Sequence, residues 1–233
     1  MKKLIVLSFI LTGVLLSYYN KDALKLATKL KSRSIASNHS IDPKFEDLLS
    51  KKSRTIDHLR SCFESRSCGF SKTDSRAYDL NLAQAIKREL NHLYEFVLEN
   101  EIEDDRISSL ARGYLKISDG HVKEAALMLL STQKPSSENL ESILEQTISY
   151  HSAPLVELAM IELSKYKTSE WQERIDNNFI ENLKTGSVIV RQVLAKNIAT
   201  FLNEENRLKY KSFIKNYTSD SKVRKFILAS LED

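Results

Sequence analysis

One helical pattern recurs four times in the second half of the chain, and this repetition limits the fold more than any other feature. In each copy an apolar residue begins a stripe, at Val122, Leu155, Val190 and Val223. Successive copies are 33, 35 and 33 residues apart. Apolar residues recur four and eight positions after each of these starts, a spacing that lies on one face of a helix. The pattern therefore predicts four amphipathic helices.

A residue that can cap a helix lies three positions before each stripe, at Asp119, Ser152, Ser187 and Asp220. The side-chain oxygens of these residue types accept hydrogen bonds from the first free backbone N–H groups of a helix. The last copy, from Asp220 onwards, is predicted to bury Phe226, Ile227 and Leu231.

A partner helix is predicted before each of the four. The apolar positions that define these partner helices are Ile107, Leu110, Tyr114 and Ile117, then Leu140, Ile143, Leu144 and Ile148, then Ile175, Phe179 and Leu183, then Leu208, Phe213, Ile214 and Tyr217. The third opens with Ser169 and continues to Gln172, the order of a capping box. A helix pair of this size cannot bury its apolar face alone, whereas stacked pairs share a core. Residues 103–233 are thus predicted to form a short right-handed α-solenoid of four pairs.

Composition supports an all-α fold. The chain has 233 residues with only five Gly and three Pro, and period-2 alternation is missing. Its 42% hydrophobic and 28% charged content is typical of an ordered protein.

Residues 42–102 are predicted to form a helical hairpin that caps the repeats. Asp42 and Pro43 open its first helix, whose apolar stripe is broken by the polar residues 50–54. After a loop at residues 64–73, a long second helix carries an apolar stripe. The residues of this stripe are Leu82, Ile86, Leu90, Leu93 and Val97.

The two cysteines, Cys62 and Cys68, are separated by six positions near the end of the first hairpin helix. This placement allows a disulfide. The N-terminal run described next resembles an export signal, and an oxidising compartment outside the cytoplasm also favours a disulfide. Two free thiols and a redox or metal pair are the alternatives. The spacing is not that of a C-x-x-C motif, and His58 is the one imidazole nearby, so no metal site is predicted.

The N-terminus resembles a signal for export. Lys2 and Lys3 precede an uncharged apolar run at residues 4–17. No small-residue cleavage pair follows the run, so residues 1–19 are either a cleaved signal peptide or a signal anchor, with a possible membrane tether through residues 4–19. Residues 20–41 form a Lys- and Ser-rich linker. The expected location is extracytoplasmic or periplasmic, with possible anchoring in the inner membrane.

The second helices of the repeats resemble those of HEAT-repeat proteins, a likeness carried by the segments DGHVKEAALMLL, SVIVRQVLAKNI and DSKVRKFILASL. The resemblance implies that these helices line a concave face and that an Asp–Arg ladder joins neighbouring repeats. Asp119 and Asp220 match its Asp position. Arg191 and Arg224 match its Arg position, and Lys123 is a weaker match. The second copy, with Val156 at that position, departs from the pattern. Tetratricopeptide repeats have a similar period, but their marker residues do not align here.

No catalytic motif, clustered metal ligands or phosphate loop is present, so no catalytic residue, metal or cofactor is predicted. The leading hypothesis is a scaffold that binds another protein through the concave face. The residues proposed to contact this partner are Lys123, Arg191, Lys196, Arg224 and Lys225. An enzyme or lyase on the same repeats is an alternative suggested by other HEAT-like proteins. Binding of nucleic acid by a basic stripe is another, but a net charge of +4 is modest and no nucleic acid is expected.

Overall fold

Every regular element in the described part of the chain is a helix. The computed structural model describes residues 43–70, 74–217 and 221–232. These residues form ten α-helices and no β-strand, which confirms the all-α prediction. The helices are α1 (Pro43–Ser65), α2 (Ser75–Glu99), α3 (Asp105–Leu115), α4 (Gly120–Ser131), α5 (Ser137–Gln146), α6 (Ala153–Leu163), α7 (Ser169–Thr185), α8 (Val188–Asn197), α9 (Glu204–Lys215) and α10 (Ser221–Glu232). Short 3-10 segments at Ser164–Tyr166 and Ile198–Phe201 follow α6 and α8.

The predicted caps begin three of the four repeated helices. The carboxylate of Asp119 accepts hydrogen bonds from the backbone N–H groups of His121 and Val122 at the start of α4. The hydroxyl of Ser187 accepts from Val190 N–H at the start of α8. Ser152 precedes α6 without a side-chain cap bond. Asp220 lies outside the described residues.

The predicted stripes of these helices are buried. All twelve positions, at the start of each stripe and four and eight residues later, are at most 6% exposed. They are Val122, Ala126 and Leu130 on α4, Leu155, Ala159 and Leu163 on α6, Val190, Leu194 and Ile198 on and just after α8, and Val223, Ile227 and Leu231 on α10. The repeat read from the sequence is therefore a repeat of packing positions.

Even-numbered helices contact one another in the order of the chain, and the odd-numbered helices from α3 onwards do the same. The even row consists of α2, α4, α6, α8 and α10, and each of its members contacts the next. In the odd row, α3 contacts α5, α5 contacts α7, and α7 contacts α9. Each helix from α3 to α9 that has an odd number also packs against the even helix that follows it. Neighbouring pairs consequently share one apolar core.

The first helix joins this arrangement through α3. The Tyr114 hydroxyl donates to the carbonyl oxygen of Ile56 at 2.6 Å. The Arg106 guanidinium donates two hydrogen bonds of 2.8 Å to the Glu46 carboxylate, which lowers the pKa of Glu46. Residues 44–233 form a single unit. Helix α1 runs without interruption through the polar residues 50–54, where its apolar stripe has a break.

The predicted stripe of α9 is partly wrong. Leu208 is 73% exposed, whereas Tyr210, which the pattern did not select, is fully buried. The buried face of α9 follows Asn206, Tyr210 and Ile214 at four-residue spacing. A buried asparagine hid this register, because its side chain does not read as apolar. On α10, Phe226 is also 38% exposed.

The capping box predicted at Ser169 is wrong. Thr168 occupies the N-cap position of α7, without a side-chain cap bond. The predicted N3 residue, Gln172, instead points into the core, where its amide donates to Asp176 Oδ1 at 3.0 Å and to the Phe201 carbonyl at 3.3 Å. A capping box is present at the start of α9, formed by Asn203 and Asn206.

Asp176 is the centre of a polar network between α7 and α9. The Asn206 amide donates to both carboxylate oxygens, at 3.1 and 3.2 Å, and the Tyr210 hydroxyl donates to Oδ1 at 3.0 Å. Burial, followed by the neighbouring Asp176 charge, raises the pKa of Tyr210, so this hydroxyl stays a donor at physiological pH. A buried carboxylate with several donors stabilises only when each donor is present.

No helix within the described ranges is long and apolar enough to cross a membrane. The apolar run at residues 4–17 and the linker at 20–41 lie outside them.

Tyr210→Phe tests the network between α7 and α9. It removes one donor from a buried carboxylate, so we expect the free energy of unfolding to fall by about 1.5–3 kcal/mol in urea titration. Tyr150→Phe is the matched control, since its hydroxyl donates to a backbone carbonyl, that of Ser118, at 2.6 Å. Its loss should be smaller, about 0.5–1.5 kcal/mol. Equal losses in the two variants would contradict the role of Asp176.

Candidate functional site: the outer face of the even row

Two positions of each repeated helix point away from the core. They lie two and six residues after the start of the stripe, and all eight side chains are partly or fully exposed. The first position is occupied by Glu124, Glu157, Gln192 and Lys225, and the second by Met128, Ile161, Lys196 and Ala229. We call the surface that they form on α4, α6, α8 and α10 the outer face of the even row.

The chemistry of this outer face changes along the row. On α4 and α6 it carries the carboxylates of Glu124 and Glu157, whereas on α8 and α10 it carries the ammonium groups of Lys196 and Lys225. The change of sign follows directly from the residues at two repeated positions. A partner that covers the whole face must therefore present opposite charge at its two ends.

Three exposed aliphatic side chains lie on the two helices between which the sign changes. Ile161, near the end of α6, is 67% exposed, and Val188 and Ile189 at the start of α8 are also exposed. Helices α6 and α8 contact each other. We call these three residues the exposed aliphatic set. The periodicity did not single them out, because all three occupy positions outside the predicted stripes.

Lys123 is not on this surface. Its side chain is 4% exposed, and its ammonium donates to the carbonyl oxygens of Leu115 and Gln146, the last residues of α3 and α5. The ammonium also lies 5.4 Å from the centre of the Tyr150 ring. Burial lowers the pKa of Lys123. A helix C-terminus carries partial negative charge, so this one cation serves two helix ends and has no surface to offer a partner.

Arg191 occupies the same register position on α8 and has a related contact. Its guanidinium donates to the hydroxyl of Tyr217, just after α9, at 3.4 Å, while its buried Nε has no hydrogen-bond partner among the described residues. In both repeats the residue after the stripe start thus reaches the end of the first helix of the next pair. Asp119 uses its carboxylate on backbone amides, and within residues 74–217 no ion pair joins it to Lys123 or Arg191. Lys123 and Arg191 thus contact helix ends, and Asp220, the other Asp position of the ladder implied by the HEAT resemblance, lies outside the described residues.

The remaining three predicted residues are exposed. Lys196 lies on α8, and Arg224 and Lys225 lie on α10, which contacts α8. The structure thus places three of the five predicted basic residues on two neighbouring helices. It sets Lys123 and Arg191 apart from them, between repeats.

Other lysines also bind helix ends. Lys165 Nζ donates to the Ser131 carbonyl at 2.7 Å and pairs with Glu162 at 2.7 Å, and Lys167 Nζ donates to the Thr200 carbonyl at 3.0 Å. Glu162 is 3% exposed, and burial raises its pKa. The Glu162 carboxylate contacts Lys165, and Lys165 in turn bonds the end of α4. Both contacts therefore have a structural role.

A cleft of about 350 Å³ lies near the starts of α7 and α9, with Gln172, Glu204 and Glu205 in its lining. Both glutamates are exposed residues of the first turn of α9, where they interact favourably with the helix dipole. The helix dipole therefore accounts for the position of these two glutamates without a catalytic role.

The two cysteines form a second cluster, at the end of α1 and in the loop that follows it. Cys62 and Cys68 are joined as a disulfide with a Cα–Cα distance of 5.3 Å, as predicted. His58 Nε2 lies 3.8 Å from each sulfur. His58 was not among the predicted site residues, although its spacing of four residues from Cys62 places both on one face of α1.

No family model, curated protein or solved structure matches this chain. The functional conclusion therefore depends on the surfaces described above.

Lys123→Met tests the assignment of Lys123 to the interior. Methionine keeps the length and apolar packing of the side chain but removes the donor for two buried carbonyls. We expect a loss of about 2 kcal/mol or more in the free energy of unfolding, measured by urea titration. Lys225→Met, at an exposed position, should change it by less than about 0.5 kcal/mol. If both variants unfold like the parent, Lys123 does not hold the helix ends.

Proposed function

We propose that this chain is an exported or membrane-tethered scaffold that binds another protein through the outer face of the even row. The observation that carries the proposal is the exposed aliphatic set of Ile161, Val188 and Ile189 on α6 and α8, in a row of helices whose later members α8 and α10 carry exposed ammonium groups. Apolar side chains rimmed by charge are typical of surfaces that bind proteins.

The architecture proposed for this task is a short α-solenoid of helix pairs. The ordered contacts within the even row and the odd row support it, as do the twelve buried stripe positions. In this arrangement the pair formed by α1 and α2 continues the stack at its N-terminal end. HEAT-like proteins are the family that the second helices resemble, and the outer face of the even row corresponds to the face that binds partners there.

The chemistry of the face specifies the partner. An acidic segment would be attracted to Lys196, Arg224 and Lys225, and an apolar residue of that segment could cover a residue of the exposed aliphatic set. We therefore propose an acidic amphipathic segment of another protein as the occupant of the α6–α10 part of the face. The glutamates on α4 and α6 would repel such a segment and so fix where it ends.

Export is supported by two features. The chain starts with basic residues and an apolar run, the pattern of an export signal. The Cys62–Cys68 disulfide suits an oxidising compartment outside the cytoplasm. On this proposal, residues 20–41 would connect a tether to the helical unit.

The combined substitution Lys196→Glu with Lys225→Glu tests the proposed face. A photocrosslinking residue placed at Ile161 should capture one protein from extracytoplasmic extracts. We expect charge reversal to reduce this capture at least about tenfold, because both substitutions place like charge against an acidic segment.

Two matched controls separate this result from general effects. Lys184→Glu with Lys215→Glu changes charge equally on the odd-row helices α7 and α9, and it should leave capture unchanged. A crosslinking residue at the exposed Leu208 on α9 should not capture the same protein. Capture that is equal from Ile161 and Leu208, or that survives reversal at Lys196 and Lys225, would overturn the proposal.

A further inference from the structure

Three side chains with metal-binding atoms converge at the end of α1. His58 Nε2, Cys62 Sγ and Cys68 Sγ all lie within 4.8 Å of one another. His58 and Cys62 are one helical turn apart on α1, and the following loop brings Cys68 back towards them. The disulfide alone does not require an imidazole at the same distance from both sulfurs.

The loop that presents Cys68 is held from two sides. The Tyr78 hydroxyl accepts from the Cys68 backbone N–H and donates to the Cys62 carbonyl, each at 3.2 Å. The Arg66 backbone N–H donates to the same carbonyl at 2.8 Å, and Arg66 adopts a positive φ of 50°. These contacts involve backbone atoms and one tyrosine, and none of them uses a sulfur atom.

The distances suit a thiophilic metal ion. With metal–sulfur bonds of about 2.3 Å and a metal–nitrogen bond of about 2.0–2.1 Å in tetrahedral geometry, ligand nitrogen and sulfur atoms are about 3.6 Å apart. The observed distance from His58 Nε2 to each sulfur is 3.8 Å. Only the two sulfurs have to separate, to about 3.8 Å, for all three atoms to surround one ion.

Exposure adds an open side to this site. Cys62 is buried, Cys68 is half-buried and the His58 side chain is exposed. An ion held by the three atoms would therefore face solvent at its remaining position. Sites with three protein ligands and one open position are suited to exchange their metal or to bind a further ligand.

We propose that the dithiol form of this chain binds one d¹⁰ thiophilic cation, Zn²⁺ or Cu⁺, through His58 Nε2, Cys62 Sγ and Cys68 Sγ. The disulfide and the metal site exclude each other, because the same two sulfurs form either one sulfur–sulfur bond or two metal–sulfur bonds. Reduction of the disulfide by an external dithiol transfers two electrons and two protons and gives two protein thiols, while the dithiol becomes a disulfide. Binding of the cation then releases the two thiol protons to water. The cluster thus couples metal occupancy to the redox state of its surroundings.

Metal titration of the reduced chain tests this inference. The disulfide is first reduced by a trialkylphosphine, which takes up one oxygen atom from water as two thiols form, and the phosphine is removed under anaerobic conditions. Co²⁺ then serves as the spectroscopic probe for the Zn²⁺ arm, and Cu⁺ is titrated in competition with a chromophoric chelator. We expect one ion per chain in at least one arm, with a sulfur-to-cobalt charge-transfer band if the site takes Zn²⁺. The oxidised chain should bind neither ion.

The variant His58→Asn separates a three-ligand site from a pair of reactive thiols. It removes an exposed side chain and keeps both cysteines, so folding should be preserved, as circular dichroism can check. We expect its affinity for the ion to fall at least about 100-fold. His121→Asn, at an exposed position on α4, is the matched control and should bind like the parent.

Two results would overturn the inference. The first is a reduced chain that binds no ion in either arm. The second is binding that His58→Asn leaves unchanged, which would show that the thiols alone hold the metal. In either case the disulfide would be only a brace for the end of α1. Neither result bears on the outer face of the even row, so this test is independent of the proposed function.

Discussion

The structure depends on one constraint, which is that no helix pair of this chain can keep its apolar stripe from water alone. Helices such as α4 and α6 are 11 or 12 residues long, too short to be stable in isolation. Each stripe position is buried, and each repeated helix contacts a helix of a neighbouring pair as well as its own partner helix. Burial of apolar area drives this association.

Short helices also have carbonyl groups at their C-termini that find no hydrogen-bond partner within the helix. In this chain, basic side chains satisfy several of them. Lys123 serves α3 and α5, Lys165 serves α4, and Arg207 donates to the Leu231 carbonyl near the end of α10. The basic character of the sequence is thus partly internal. On the outer face of the even row, the lysines lie on α8 and α10, whereas α4 and α6 carry glutamates.

The sequence predicted the parts of the fold that are set by local chemistry. Caps such as Asp119 and the apolar spacing from Val122 onwards specify where a helix begins and which side it buries, and the disulfide followed from the spacing of Cys62 and Cys68. It did not predict the parts that depend on a neighbour. In the sequence, Lys123 looks like a surface residue, because the two carbonyl groups that it binds belong to other helices. Tyr210 is buried where its hydroxyl donates to Asp176 of α7. His58 joins the sulfurs only through the turn of the loop after α1. Such contacts are long-range, and no periodicity encodes them.

The central claim is that stability passes from each helix pair to its neighbours and not through the chain as a whole. Hydrogen exchange of Ile227→Ala, read by mass spectrometry along the chain, tests it most directly. The substitution leaves a cavity beneath α10, where Ile227 is fully buried. The account predicts that amide protection in α8, α9 and α10 falls about 30-fold while α2, α3 and α4 keep the protection of the parent. An equal loss of protection in all ten helices would show a single cooperative bundle and would contradict the account.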